Sequence, residues 1–241
     1  MTWGNRFKLL LGMLVVLLIV AGSTLIFNQR QTQVLSTSAT IASQEAAVGS
    51  DYGGIITESY VQAGDQVVEG QRMYVIESLQ LLRDLELGAV SADLAQVRED
   101  GTYVVRANAS GTVADGPATD GTYVGTGDVL ATINREGSLF AEAEFILTAR
   151  DFGRIEDGAT VELRLPDQTT LTGNVSDITV ETIDGSAHVT ARVDSVELVE
   201  GDSNNLVKPG TPLDATLELR DDGPLAGVND AVTDFATKIG L

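Results

Sequence analysis

The chain has no cysteine, a single histidine, five prolines and only 5% aromatic residues. Without cysteine there is no disulfide, no thiol nucleophile, no thiolate zinc site and no cysteine-linked lipid. The lone imidazole, His188, cannot make a His–His metal pair, so only a Ser–His or carboxylate mechanism would survive. Ser110 and Ser186 have no partner base in the sequence, and neither a catalytic residue nor a metal ligand is assigned. Cations are scarce: 15 Lys and Arg stand against 35 Asp and Glu in 241 residues, a net charge of −20. Residues 1–44 hold Arg6, Lys8 and Arg30 without any acid and carry +3, which leaves −23 on the remainder. So acidic a surface repels phosphate backbones, and nucleic acid is excluded as a partner.

One long apolar run is present. Leu9–Phe27 (LLLGMLVVLLIVAGSTLIF) is uncharged over 19 residues. As a helix it would just cross a hydrocarbon core of roughly 30 Å. Arg6 and Lys8 precede it, so the positive-inside bias predicts a cytoplasmic N-terminus and an extracytoplasmic bulk. The run exceeds the apolar core of a cleaved signal peptide, about 7–15 residues, so residues 1–30 are expected to be an uncleaved signal anchor. Residues 31–44, rich in Ser, Thr and Gln, are expected to be a linker from membrane to domain.

The 25 glycines predict many tight turns, and some of them repeat. The segment Gly53–Glu77 recurs at an offset of 57 residues without a gap. Gly54 falls on Gly111, Gly64 on Gly121 and Gly70 on Gly127. Ile56 falls on Val113, Val67 on Val124, Met73 on Leu130 and Ile76 on Ile133. The glycines are predicted to occupy turns that need φ > 0, and the apolar positions to line one core. Each half is too small to bury its own core. Two halves facing each other would make a small β-sandwich.

These residues carry a resemblance. Val61-Gln62-Ala63-Gly64-Asp65-Gln66-Val67-Val68-Glu69-Gly70-Gln71 resembles the first half of a biotinyl/lipoyl-type domain. Ala107-Asn108-Ala109-Ser110-Gly111-Thr112-Val113 resembles the reopening of its second half, with Asn108 in place of a proline. A version split by an insert is typical of the hemolysin-D-like membrane fusion proteins, the periplasmic adaptor subunits of export systems. Ile155-Glu156-Asp157-Gly158-Ala159-Thr160-Val161 and Leu206-Val207-Lys208-Pro209-Gly210-Thr211-Pro212-Leu213 resemble the β-barrel domain that follows in that family. The resemblance covers roughly residues 45–220. It implies a mainly β fold: a barrel-sandwich hybrid at 45–137 with a helical insert at 79–100, then a β-barrel at 138–222.

Carrier domains of this fold acylate a lysine in the turn between their halves. Here Ile76-Glu77-Ser78-Leu79-Gln80 resembles that turn, with Gln80 where the lysine would stand. No lysine lies between Lys8 and Lys208, so no lipoyl or biotinyl cofactor is expected. His188 reads as a strand residue facing solvent or a neighbour. Asp115-Gly116 and Asp120-Gly121 would suit a loose calcium site. However, Asp-Gly also occurs at 100–101, 157–158, 184–185 and 222–223, and such pairs are better read as hairpin turns.

Within the insert, Leu79, Leu82 and Leu85 recur at three residues. Gly88 interrupts and Ser91 could cap a second turn over Ala92–Arg98, so two short helices, or one helix and a loop, are predicted. Leu82 and Leu85 are candidate partner contacts. Strands are predicted at Leu139–Phe145, Thr160–Leu165, Leu171–Val180, Ala187–Val199 and Leu213–Arg220. After Pro224, the residues Leu225, Val228, Val232, Phe235 and Ile239 recur at three and four. This predicts an amphipathic helix over 223–241 that packs on its own barrel, a neighbouring subunit or a transporter. The resemblance implies a single-pass, non-catalytic adaptor whose partner is an inner-membrane exporter of the ATP-driven (ABC) kind, with a homo-oligomer as a further expectation. The alternative is a stand-alone anchored module that binds cell-envelope polymer or an envelope protein.

Overall fold

In the computed structural model, the described residues are 32–221 apart from 92–95, 115, 117 and 184, together with Gly12, Met13 and Val16. The expected span Leu9–Phe27 lies otherwise outside them, as does the expected helix over 223–241. Among the described residues no helix is long and apolar enough to cross a membrane. The first strands are β1 (Gln33–Leu35), β2 (Ser38–Ala42), β3 (Glu45–Gly49), β4 (Gly54–Ser59), β5 (Gln66–Val67) and β6 (Arg72–Glu77). Helix α1 (Leu79–Glu86) follows, then β7 (Thr102–Arg106), β8 (Gly111–Val113), β9 (Tyr123–Val124), β10 (Val129–Arg135) and β11 (Phe140–Leu147). The chain continues through α2 (Ala149–Phe152), β12 (Thr160–Arg164), β13 (Thr170–Ile183), β14 (Ser186–Asp194), α3 (Asp202–Asn205) and β15 (Asp214–Glu218).

The fold divides into two compact units. One comprises Ile41–Phe140 and Val199–Gly210, the other, among the described residues, 32–40, 141–198 and 211–221.

The first unit is built from two four-stranded sheets, ordered β3-β10-β8-β5 and β7-β6-β4-β9. Each sheet maps onto the other under the 57-residue offset. The amide of Gly121 donates to the Ile56 carbonyl at 2.8 Å, and that of Gly64 to the Val113 carbonyl at 2.9 Å. Gly70 donates to Ala107 at 2.8 Å and Gly127 to Ser50 at 2.7 Å. Even the register shifts correspond, between Arg72 and Tyr74 in one sheet and between Val129 and Ala131 in the other. The halves also exchange a strand. β5 pairs with β8, and its equivalent β9 pairs with β4. Neither half therefore completes a sheet alone. All four pairs of repeated apolar residues, from Ile56/Val113 to Ile76/Ile133, are buried in one cluster. At about 1.5–3 kcal/mol for each fully buried aliphatic side chain, this cluster is the main source of the unit's stability.

Gly64, Gly70, Gly121 and Gly127 take φ between +80° and +87°, as turns require. Gly54 corrects the expectation of a turn glycine, and Gly111, though at φ +157°, likewise opens a strand rather than a turn. They open β4 and β8, where the backbone of a neighbouring strand comes too close for a side chain.

The second unit is a single seven-stranded sheet, β1-β15-β12-β13-β14-β11-β2. A bridge between Thr40 and Pro212, and the Leu213 amide donating to Ala39 at 3.0 Å, tie edge strand β2 back to the residues leading into β15. The sheet thus curls towards a barrel. Alternation along β11 and β14 buries every second residue, including Phe145, Val189 and Val193. The linker expected at 31–44 is instead structured. It supplies β1 and β2, with Ala39 and Ile41 buried at 6% and 1% exposure. In β2, Ser38 and Thr40 occupy the outward positions of an alternating strand, which is why the composition reads as linker. β14 stops at Asp194 rather than Val199. There Ser195 donates its hydroxyl to the Thr172 carbonyl at 2.6 Å and accepts from the Glu197 amide, making a turn.

Candidate partner-contact surfaces

The insert begins where β6 ends. Ser78 has extended backbone (φ −122°) and is 1% exposed. Its Oγ accepts from the Leu81 amide at 3.2 Å, the N-cap bond of α1. The same hydroxyl donates to the Gly53 carbonyl at 2.7 Å, so the helix start is pinned to the strand entry. Helix α1 turns Leu81 fully into the core, and Leu85, one turn on, packs against the same core. Leu82 is half-buried, with its Cβ in the place a Gly101 side chain would need. Leu82 and Leu85 are therefore partly covered by their own unit. The apolar side chains that α1 leaves exposed are Leu79 and Leu87, at 74% and 75%. The spacing of four between Leu81 and Leu85, after a capping Ser78, was the signal for the buried face.

Beyond α1, Gly88 takes φ +67°. Of the second expected helical turn, residues 92–95 lie outside the described residues. Its end is not helical: Val97 bridges to Tyr103, and Gln96 accepts from the Val104 amide at 2.8 Å. The Tyr103 hydroxyl donates to Asp51 Oδ2 at 2.6 Å, with Gln96 Oε1 at 3.1 Å. Tyr52 meets its ring edge-on at a centroid distance of 5.5 Å. Burial first, then the Asp51 hydrogen bond and charge, pushes the Tyr103 phenol above its usual range. This cluster fastens the end of the insert to the sheet.

Gln80 lies exposed in the first turn of α1. The segment resembling a lipoylation turn is thus a helix start, and the residue replacing the lysine is an amide. His188 is half-buried on β14, in register with Ile146 and Glu181. Among the described residues no three His, Asp or Glu side chains gather as a metal site.

In the curled sheet, a buried arginine that sequence reading did not single out fixes the end of β15. Arg154 is 7% exposed. Its Nε donates to the Arg220 carbonyl at 2.8 Å, while its own carbonyl accepts from the Arg220 amide at 3.0 Å. One step earlier, the Leu219 amide donates to the Thr32 carbonyl at 2.6 Å. β1 and β15 pair antiparallel, Gln33 opposite Glu218, so the two ends of the described chain leave the same end of one ladder.

Residues 44–135 match the family described as the CzcB-like barrel-sandwich hybrid domain. The wider fold is shared with solved structures at low identity. ZneB from Cupriavidus metallidurans is 17% identical, with a TM-score of 0.56 over 78% of this chain and 98% of its own. MacA from Actinobacillus actinomycetemcomitans is 14% identical, with a TM-score of 0.57 over 78% of both chains. The membrane fusion protein Spr0693 from Streptococcus pneumoniae R6 is 18% identical, with a TM-score of 0.52 over 77% of this chain and 99% of its own. No curated protein sequence matches the chain. The chain therefore shares its fold with solved structures that include a membrane fusion protein, and residues 44–135 are a barrel-sandwich hybrid.

Proposed function

We propose that this chain is a membrane-anchored, extracytoplasmic, non-catalytic adaptor subunit of an export system. The observation that carries the reading is the split hybrid domain. It keeps the two-fold core of a carrier domain but has a glutamine at the acceptor position and a helix in place of the acceptor turn. A carrier fold without its acceptor serves as a binding scaffold. The second, curled sheet supports the same reading, because hybrid and barrel follow one another in adaptors. The partner on this reading is an inner-membrane exporter of the ABC type. The transporter does the chemistry, while the adaptor docks on its outer face and couples to its cycle or guides substrate. Helix α1 has eight residues and rises only about 12 Å, too short to build a tall tunnel.

The test is purification of the full chain from its native membrane in mild detergent after brief crosslinking. The expected result is a membrane exporter in fixed ratio. A chain that elutes alone and is retained by cell-envelope glycan would overturn the reading in favour of an envelope-binding module.

A further inference from the structure

The hairpin of β13 and β14 outruns the rest of the curled sheet. β12 pairs with β13 only from Thr170 to Asn174, whereas β14 follows it from Asn174 to Ile183. The Val175 amide still donates to the Ala159 carbonyl, at 2.9 Å. Beyond it, no described strand runs along that side of β13. Asp177 and residues 179–183 are exposed, Val180 at 40% and Ile183 at 41%, while Ile178 is half-buried.

The register fixes what this open side presents. Ile183 faces Ser186 across a two-residue turn, and the pair that flanks such a turn is hydrogen-bonded. Every second pair is then bonded too: Glu181 with His188, Thr179 with Thr190, Asp177 with Arg192. The main-chain groups of Ile178, Val180 and Thr182 therefore point away from β14, to the open side. An edge of this kind is a template for another strand, and proteins blunt it with proline or lysine. Residues 177–183 (DITVETI) hold neither, and five of the seven are β-branched. Their charges are Asp177 and Glu181, both on the face of the sheet opposite to Val180.

The segment is complementary to itself. Antiparallel pairing of two copies centred on Val180 sets Val180 opposite its own counterpart, Thr179 opposite Glu181, Ile178 opposite Thr182 and Asp177 opposite Ile183. No carboxylate then faces another, and each Glu181 accepts from a Thr179 hydroxyl. Moving the centre by one residue destroys this. Centred on Thr179, Asp177 meets Glu181; centred on Glu181, the two Glu181 side chains meet each other. Like charges directly opposite destabilise a strand pair.

We propose that residues 177–183 are a self-pairing edge, through which two copies of the chain join their curled sheets about a two-fold axis at Val180. The two hairpins then form one continuous sheet. An edge of seven residues is only about 24 Å long, a small contact beside stable interfaces. The pair is therefore weak between dilute chains and forms where copies are concentrated. This goes beyond the adaptor reading and holds or falls without it.

The chain has no cysteine, so introduced thiols report only on themselves. In the full chain in mild detergent, oxidation traps even a transient pair. Val180→Cys is expected to form disulfide-linked dimer about tenfold faster than Val196→Cys, whose site is 96% exposed and reads random collision. Thr179→Cys and Glu181→Cys should each dimerise slowly alone and rapidly when mixed, because 179 lies opposite 181. Equal rates at 180 and 196 overturn the inference, and so does the lack of any gain on mixing. In native membranes, a benzophenone carried on Val180→Cys should label a second copy. Labelling of a different protein alone would assign the edge to that protein and overturn self-pairing.

Discussion

Gly54 lies against the main chain of Glu77, so closely that a Cβ built on it would collide with the Glu77 carbonyl oxygen. Fifty-seven residues on, the same relationship holds between Gly111 and the Asn134 carbonyl. Four residues thus state the symmetry of the hybrid domain at its tightest point. The repeated glycines fall into two kinds. Some permit a left-handed turn, and others permit two backbones to approach.

The two kinds respond differently to a methyl group. At Gly64, with φ +87°, a Cβ meets open space, so Gly64→Ala costs the left-handed strain alone, about 1–2 kcal/mol. At Gly54 the obstacle is main chain, which cannot rotate away. Gly54→Ala is therefore expected to cost about 3 kcal/mol or more. Urea denaturation should rank them in that order. An equal loss would refute the close-approach account.

Arg154 is buried with its guanidinium committed to the Arg220 carbonyl. Arg154→Met keeps most of the stem but removes the donor and leaves a carbonyl unpaired. A loss of about 1–3 kcal/mol is expected. Amide exchange should also quicken at Leu219 and Arg220 before β15 itself.

Ser78→Ala removes both the cap of α1 and the donor to Gly53. A cost of about 1–2 kcal/mol is expected. Ser78→Thr should recover part of it. Proteolysis within the insert reads the same event, and unchanged protection in Ser78→Ala would show that the cap does not hold α1.

Tyr74, fully buried, has its phenol pushed up to about 12 by burial, and Tyr103 is raised by burial and by Asp51. In both cases the folded state holds the proton more tightly than the unfolded chain does. The associated stability is whole below pH about 10 and is lost as pH rises from there through about 12. Circular dichroism should therefore change together with the tyrosinate absorbance of Tyr74 and Tyr103, isolated from the exposed Tyr60 and Tyr123 by difference spectra of Tyr74→Phe and Tyr103→Phe. Ionisation of Tyr74 or Tyr103 well before unfolding would contradict the burial.

Gln80 is exposed and makes no core contact. Gln80→Ala should shift stability by less than about 0.5 kcal/mol. The intact mass of the native chain should show neither lipoyl nor biotinyl addition, and an adduct at any position would overturn the scaffold reading.

The sequence alone determined what repeats locally. Glycines at 64, 70, 121 and 127, the apolar positions between them and the absent lysine leave their mark within each half, because turns and alternating strands are properties of short segments. Tertiary structure alone decided which segments pair. The exchange of β5 and β9, the place of 33–42 in the curled sheet, the clash that makes Gly54 and Gly111 necessary, and the junctions of Thr32 with Leu219 and of Arg154 with Arg220 all join residues far apart in sequence. Each depends on which backbone arrives alongside, and a carbonyl in a neighbouring strand leaves no trace in the residue it touches. The insert lay between these cases. Its helix was legible from Leu79, Leu82 and Leu85, but only the packed core determined that Leu81 and Leu85 face inward while Leu79 and Leu87 face out.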